Sequence, residues 1–226
     1  MRFGVLQFPG SCDEVDALSA CERVGDARLI WHRDSELGDV DAVVVPGGFS
    51  YGDYLRVGAI ARFSPVMETV KEFALAGGPV LGICNGFQVL CEAGLLPGAL
   101  RPNDSLSFVC RDVPLRVERS DTPFLTHCEV GQRLTIPVKH GEGCFFADSD
   151  LLAELDEARQ IVLRYDADNP NGSIDDIAGV VNADGNVMGL MPHPEHAVDP
   201  LLGSADGALI LRALVESARE RLLAPA

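Results

Sequence analysis

The stretch Val80-Leu81-Gly82-Ile83-Cys84-Asn85-Gly86-Phe87-Gln88 decides the reading of this chain. A short buried-type apolar run ends at Ile83, and a helical pattern runs from Phe87 to Ala93. Glycines stand two residues before and two residues after Cys84. Strand, sharp turn and helix around a framed nucleophile form an elbow, here with cysteine in place of serine. Backbone and helix pack closely at such a turn, so small neighbours are required on both sides. Unpaired N–H groups and the positive dipole end of the helix favour a thiolate. The N–H of Asn85 points where an oxyanion would form. Cys84 is the candidate nucleophile. Cys91 and Cys144 lack this frame and read as packing residues.

Outward from the elbow, strand and helix signals alternate. Phe3–Phe8, Arg28–Trp31 and Asp41–Pro46 read as strands. The run Ala42-Val43-Val44-Val45 suits a strand buried on both faces. Asp13–Val24 has helical spacing, with Val15, Leu18 and Cys21 on its apolar side, and Val66–Ala76 is a second helix. This rhythm predicts an α/β fold with a mainly parallel central sheet and helices on both faces. The second half changes character. Leu106–Val117, Arg133–Val138 and Gln160–Tyr165 read as strands, and Ala178–Val181 and Val187–Met191 flank an Asp184-Gly185 turn as a hairpin. A smaller antiparallel β portion is therefore expected, and Ala205–Leu223 is the closing helix. With no repeat, low-complexity segment or linker, residues 1–226 read as a single domain.

An acyl-transfer cysteine needs a general base, and the base needs an orienter. Among five histidines, His193 stands out in Met191-Pro192-His193-Pro194-Glu195. The flanking prolines predict an extended segment, in which residues two apart share a side. Glu195 then reaches the His193 ring, and His196 points away. Cys84, His193 and Glu195 form the predicted triad. His140 is the rival base, but Pro137-Val138-Lys139-His140-Gly141-Glu142-Gly143 reads better as a glycine-rich substrate loop after a strand. His32 and His127 read as structural or surface residues. Gly47-Gly48, after the Val43–Val45 run, frees backbone N–H groups for a ligand, so either glycine offers a second oxyanion donor. The loop lacks the phosphate-binding Gly-x-x-x-x-Gly-Lys-Ser/Thr pattern, and no metal site is expected.

Composition narrows the class. The formal charge is −16 with a pI near 4.5, and Lys71 and Lys139 are the only lysines. A phosphate backbone needs a basic surface, so nucleic-acid binding is disfavoured. The acidic surface fits adaptation to high salt, where screening removes its self-repulsion. Seven cysteines, an odd number without CxxC spacing, argue against a disulfide framework and for a reducing cytoplasm. Met1–Phe8 reads as a first strand rather than a secretory signal, and no window matches a membrane span.

With these segments in place, the chain resembles the class I glutamine amidotransferases, whose fold is flavodoxin-like. Within them it is similar to the glutaminase subunits of phosphoribosylformylglycinamidine synthases. The narrower likeness rests on the Gly47–Arg56, Gly82–Gln88, Pro137–Gly143 and Met191–Glu195 stretches. One departure is visible: Ser11 is followed directly by Cys12, where the family turn carries one more residue. The resemblance implies glutamine hydrolysis by Cys84, His193 and Glu195, with Gly48 and Asn85 as the oxyanion hole. It implies substrate contacts by Gly47, Gln88, His140, Gly141, Glu142 and Gly143. It also implies ammonia delivery to a large synthetase subunit that carries ATP and Mg, with a small accessory subunit between them and no cofactor on this chain. Competing readings are an amidotransferase serving another synthase, a cysteine hydrolase or chaperone-like protein with the same elbow, and a binding subunit with a dead site.

Overall fold

A computed structural model describes residues 1–223, and side chains through residue 220. Residues 224–226 of the expected 1–226 domain lie outside the described residues. In chain order the elements are β1 (Arg2–Gln7), α1 (Glu14–Glu22), β2 (Asp26–Trp31), β3 (Ala42–Val45), α2 (Pro65–Leu75), β4 (Val80–Ile83), α3 (Asn85–Glu92), β5 (Ala99–Arg101), β6 (Val109–Val117), β7 (Arg133–His140), β8 (Cys144–Phe146), α4 (Ser149–Glu157), β9 (Ile161–Tyr165), β10 (Ile177–Val181), β11 (Val187–Leu190) and α5 (Gly207–Leu223).

Nine strands form one sheet in the order β2-β1-β3-β4-β11-β10-β9-β6-β7. From β2 to β11 every pairing is parallel, and from β11 to β7 every pairing is antiparallel. The antiparallel strands β10, β9, β6 and β7 therefore extend the central sheet. The 2-1-3-4 order of the parallel half is flavodoxin-like. The chain steps one way from β1 to β2 and the other way from β3 to β4. Right-handed crossovers then place α1 and α2 on opposite faces. α5 packs beside α1, and α3 lies over β3, β4 and β11.

Burial follows this arrangement. Every residue of β3, β4, β10 and β11 is buried, as a strand covered on both faces requires. β7 instead alternates, with Leu134, Ile136 and Val138 inward. One sequence expectation is corrected. The buried face of α1 is Ala17, Ala20 and Cys21, while Val15 is exposed, because the small residues let the helix lie close to the sheet. β5, β8 and α4 were not anticipated. β5 and β8 are only three residues each and pair with one another apart from the main sheet. α4 carries its own start signal, since the Asp148 carboxylate accepts from the Leu151 N–H at 2.9 Å. No helix among the described residues is long and apolar enough to cross a membrane.

Candidate active site

Cys84 sits between β4 and α3 at φ 50° and ψ −107°. A positive φ is uncommon for a residue with a side chain and is held only where its surroundings enforce it. Those surroundings are specific. The Cys84 N–H donates to the Leu190 carbonyl of β11 at 2.8 Å. A side chain at Gly86 would run into the Val45 carbonyl, and one at Gly82 would meet Leu90 and the Gly86 backbone. Both glycines of the frame are steric necessities. Asn85 opens α3, so its N–H has no intrahelical acceptor. The N–H of Gly48 makes no main-chain hydrogen bond among the described residues.

His193, the expected base, follows the neighbouring strand. β11 runs parallel to β4 with Gly189 opposite Gly82 and Leu190 opposite Ile83, so both strands end side by side. The His193 N–H donates to the Pro137 carbonyl at 2.8 Å, pinning this segment to β7. His193 Nδ1 lies 2.6 Å from Glu195 Oε1, and both side chains are buried. The two residues meet through a 3-10 turn over Pro194–His196, not through the extended chain that the prolines suggested. The buried Nε2 of His193 has no hydrogen-bond partner within normal limits. Burial disfavours the imidazolium, but the charges of Glu195 and Cys84 outweigh it and push His193 up to about 10.

A second carboxylate joins this pair. Asp13 Oδ2 is 3.8 Å from His193 Nδ1, and Asp13 Oδ1 is 3.5 Å from His196 Nε2. Lys139 Nζ also pairs with Asp13 Oδ1. Burial would raise the Asp13 carboxyl, but His196 and Lys139 hold it down at about 2. His196 therefore does not point away, because the 3-10 turn brings its ring to 5.5 Å from that of His193. The shortened turn after Ser11 still docks on the Gly47-Gly48 loop, since the N–H groups of Cys12 and Asp13 both donate to the Gly47 carbonyl at 3.3 Å. A side chain at Gly47 would strike Asp13 and the His193 ring.

Asp13, His193, Glu195 and His196 offer ligand atoms within 4.8 Å of one another. A metal ion there would displace the Lys139 ammonium from Asp13 and the imidazole proton from Glu195.

A cavity of about 190 Å³ opens above Cys84. Gly48, Gln88, His140, Gly141 and Glu142 line it together with Cys84. Gly47 and Gly143 lie beside it, the first against His193 and the second against the His140 ring. The walls are locked by amides. Asn85 Oδ1 accepts from the Ser50 N–H at 3.1 Å, Asn85 Nδ2 donates to Gln88 Oε1 at 2.9 Å, and Gln88 Nε2 donates to the Glu142 carbonyl. Asn103 bridges the loop, donating to the His140 carbonyl and accepting from the Gly143 N–H, both at 2.9 Å. Asn171 Nδ2 lies 3.0 Å from His140 Nε2 and donates to the Gly143 carbonyl at 2.8 Å. Burial, with the charge of His193, lowers His140 to about 4, so its ring is neutral at pH 7. Asp13, Asn103 and Asn171 were missed in the sequence. The last two carried no local signal, and Asp13 was legible only as a helix start.

The profile of the CobB/CobQ-like glutamine amidotransferase domain matches residues 1–206. The chain is 59% identical to the phosphoribosylformylglycinamidine synthase subunit PurQ of Salinibacter ruber, over 95% of each chain. It is also 59% identical to that of Rubrobacter xylanophilus, over 97% of this chain and all of the other. Among solved structures, a chain of PurLQS from Thermotoga maritima superposes with a TM-score of 0.87 at 42% identity, covering 95% of this chain and 97% of that one. A glutamine amidotransferase of Thermotoga maritima, at 18% identity and TM-score 0.59, covers 100% and 99% and shares the fold.

Proposed function

The chain belongs to the CobB/CobQ-like glutamine amidotransferase family, and from that premise we propose that it is the glutaminase subunit of phosphoribosylformylglycinamidine synthase. It hydrolyses L-glutamine to glutamate and ammonia. The ammonia passes to a large synthetase subunit, which converts formylglycinamide ribonucleotide to formylglycinamidine ribonucleotide in purine biosynthesis. That partner carries ATP and Mg, a small accessory subunit completes the complex, and the site of action is the cytoplasm. The PurQ relatives at 59% identity and the PurLQS assembly support the partner assignment.

The observation that carries the chemistry is the buried His193–Glu195 contact of 2.6 Å beside the strained elbow of Cys84. The Cys84 sulfur attacks the carboxamide carbon, and the carbonyl electrons move onto oxygen. The Gly48 and Asn85 N–H groups receive that oxyanion. His193, held protonated by Glu195, donates its proton to the leaving nitrogen as the C–N bond breaks, and ammonia departs. The resulting γ-glutamyl thioester is opened by water, whose proton returns to His193. Glutamate leaves as the C–S bond breaks, and the Cys84 thiolate beside the protonated His193 is restored.

Labelling with an electrophilic glutamine analogue tests this reading, run with and without the synthetase and followed by peptide mass mapping. Label on Cys84 that glutamine protects against is the expected result. If a general thiol reagent modifies Cys84 while the analogue fails in both conditions, the elbow has no glutamine pocket and the hydrolase-like reading replaces this one.

A further inference from the structure

The cavity above Cys84 holds a carboxylate that nothing in the protein satisfies. Asp53 lines the cavity together with Cys84 and Glu142. Its Oδ1 is buried and has no hydrogen-bond partner. A buried polar atom without a protein partner is costly, and in folded proteins a ligand, an ion or a water supplies the bond.

No cation of the protein is available to it among the described residues. Arg56, three residues on, turns away and forks onto Glu92 at 2.5 and 2.6 Å. Lys139, the cation in the cavity wall, is committed to Asp13. Burial, and then the charge of Glu142, push the Asp53 carboxyl up to about 6. Two acidic side chains thus face one small cavity without a counter-charge.

The loop is built to keep Asp53 there. Tyr51, Gly52, Asp53 and Leu55 all have positive φ, a conformation unfavourable for Tyr51 and Leu55 in particular. The constraint is the Tyr51 hydroxyl, 2.7 Å from His32 Nδ1 and 3.0 Å from Ser64 Oγ. The Tyr51 N–H also donates to the Pro9 carbonyl at 2.6 Å. The strained segment is anchored at Tyr51 and delivers Asp53 to the cavity.

We propose that Asp53 is the recognition group for the α-ammonium of the amino-acid substrate, with Glu142 as the second negative charge of that subsite. The inference rests on the glutamine-hydrolysing reading above. With the carboxamide carbon at Cys84, the α-ammonium of glutamine lies on the far side of two methylene groups, within the same cavity. An ammonium there supplies the missing donor to Asp53 Oδ1 and offsets its repulsion from Glu142. The subsite rejects amides that lack the α-amino group, because they would leave the buried Oδ1 of this half-buried acid unpaired.

The test compares glutamine with glutaramate, the same molecule with hydrogen in place of the α-amino group. Ammonia release is measured for the full chain in the presence of the synthetase and accessory subunits. The wild-type protein is expected to show a KM for glutamine about 10- to 100-fold below that for glutaramate, the size of one charge-assisted contact. Asp53→Asn should raise the glutamine KM by about that factor and the glutaramate KM far less, while Asp53→Glu keeps the preference. A residue that only shaped the loop would change both KM values together. Equal KM values for the two substrates in the wild-type protein, which needs no variant to fold, would overturn the assignment, as would an Asp53→Asn variant with an unaltered glutamine KM. A wild-type protein that releases ammonia from neither compound, and whose Cys84 resists the glutamine analogue, refutes the glutaminase reading itself.

Discussion

The elbow at Cys84 and the loop at His140–Gly143 form two walls of one cavity, yet they are held rigid by opposite means. The elbow is fixed by packing. Gly82 and Gly86 let backbone meet backbone, Val45, Ile83 and Phe87 are fully buried, and the strained φ of Cys84 is held by one bond to Leu190. The loop is fixed by polar side chains. Asn103 and Asn171 satisfy its carbonyls and N–H groups, and Ser173 Oγ donates to the Asn171 carboxamide at 2.7 Å. The nucleophile must keep a high-energy conformation, which close packing resists losing. A substrate-contacting loop must present polar groups at the cavity and satisfy the rest internally, which a buried network achieves.

Substitutions separate the two walls. Cys84→Ser should lower glutamine-dependent ammonia release at least about 10³-fold while glutamine binding, followed by calorimetry, persists. Loss of binding as well would mean that the elbow also holds the substrate in place. Next in size, Gly86→Ala should destabilise the fold by about 3 kcal/mol or more in denaturant titration, because the added methyl meets the Val45 carbonyl. A neutral outcome would show the elbow to be slack.

Glu195→Gln should slow turnover about 10²-fold and shift its pH dependence. In the native protein His193 is raised above its unfolded value, so its ion pair stabilises the fold fully below pH 6.5 and loses that contribution as pH rises through about 10. Removing the Glu195 charge should pull the alkaline limb of the rate profile down toward the ordinary imidazole range. An unmoved limb would mean that Glu195 is not what keeps His193 charged.

Asn171→Ala should cost about 1–3 kcal/mol of stability and act mainly on the glutamine KM, since it unpins His140 and Gly143 but leaves the elbow intact. A kcat effect without a KM effect would erase the distinction between the walls. The smallest effect concerns neither wall. With a net charge of −16, the unfolding midpoint should rise from dilute buffer to molar KCl, by about 2–4 °C for each kcal/mol gained. No rise would remove the high-salt interpretation of the composition.

The same contrast explains what could be read without coordinates. The elbow was legible because its requirements are local: a β-branched or leucine-rich run, two glycines at fixed offsets and a helix. The Met191–Glu195 stretch was legible for the same reason, although its turn was not, since the prolines permit both an extended chain and a 3-10 start. Asn103 and Asn171 are far from His140 in the chain and sit in stretches without periodicity, so nothing near them signals a buried amide. Asp13 is similar. Its approach to His193 depends on β1 and β11 lying in one sheet, and the acidic start of α1 explains it equally well. Asp53 was visible inside the Gly47–Arg56 motif, but whether its carboxylate faces solvent or cavity depends on its own φ and on those of Tyr51, Gly52 and Leu55.

The adjacency of β4 and β11 has a consequence for how the protein comes into being. The proposed nucleophile is encoded in the first half of the chain and its proposed base well into the second, so a chain still emerging from the ribosome can complete the elbow strand long before β11 exists. Contacts between segments so distant in sequence form late, because the intervening loop must close first. The last parallel strand to be synthesised thus acts as a completion check. Until it zips against β4, Leu190 cannot hold the Cys84 turn, His193 cannot meet the thiol, and a half-made chain consumes no glutamine.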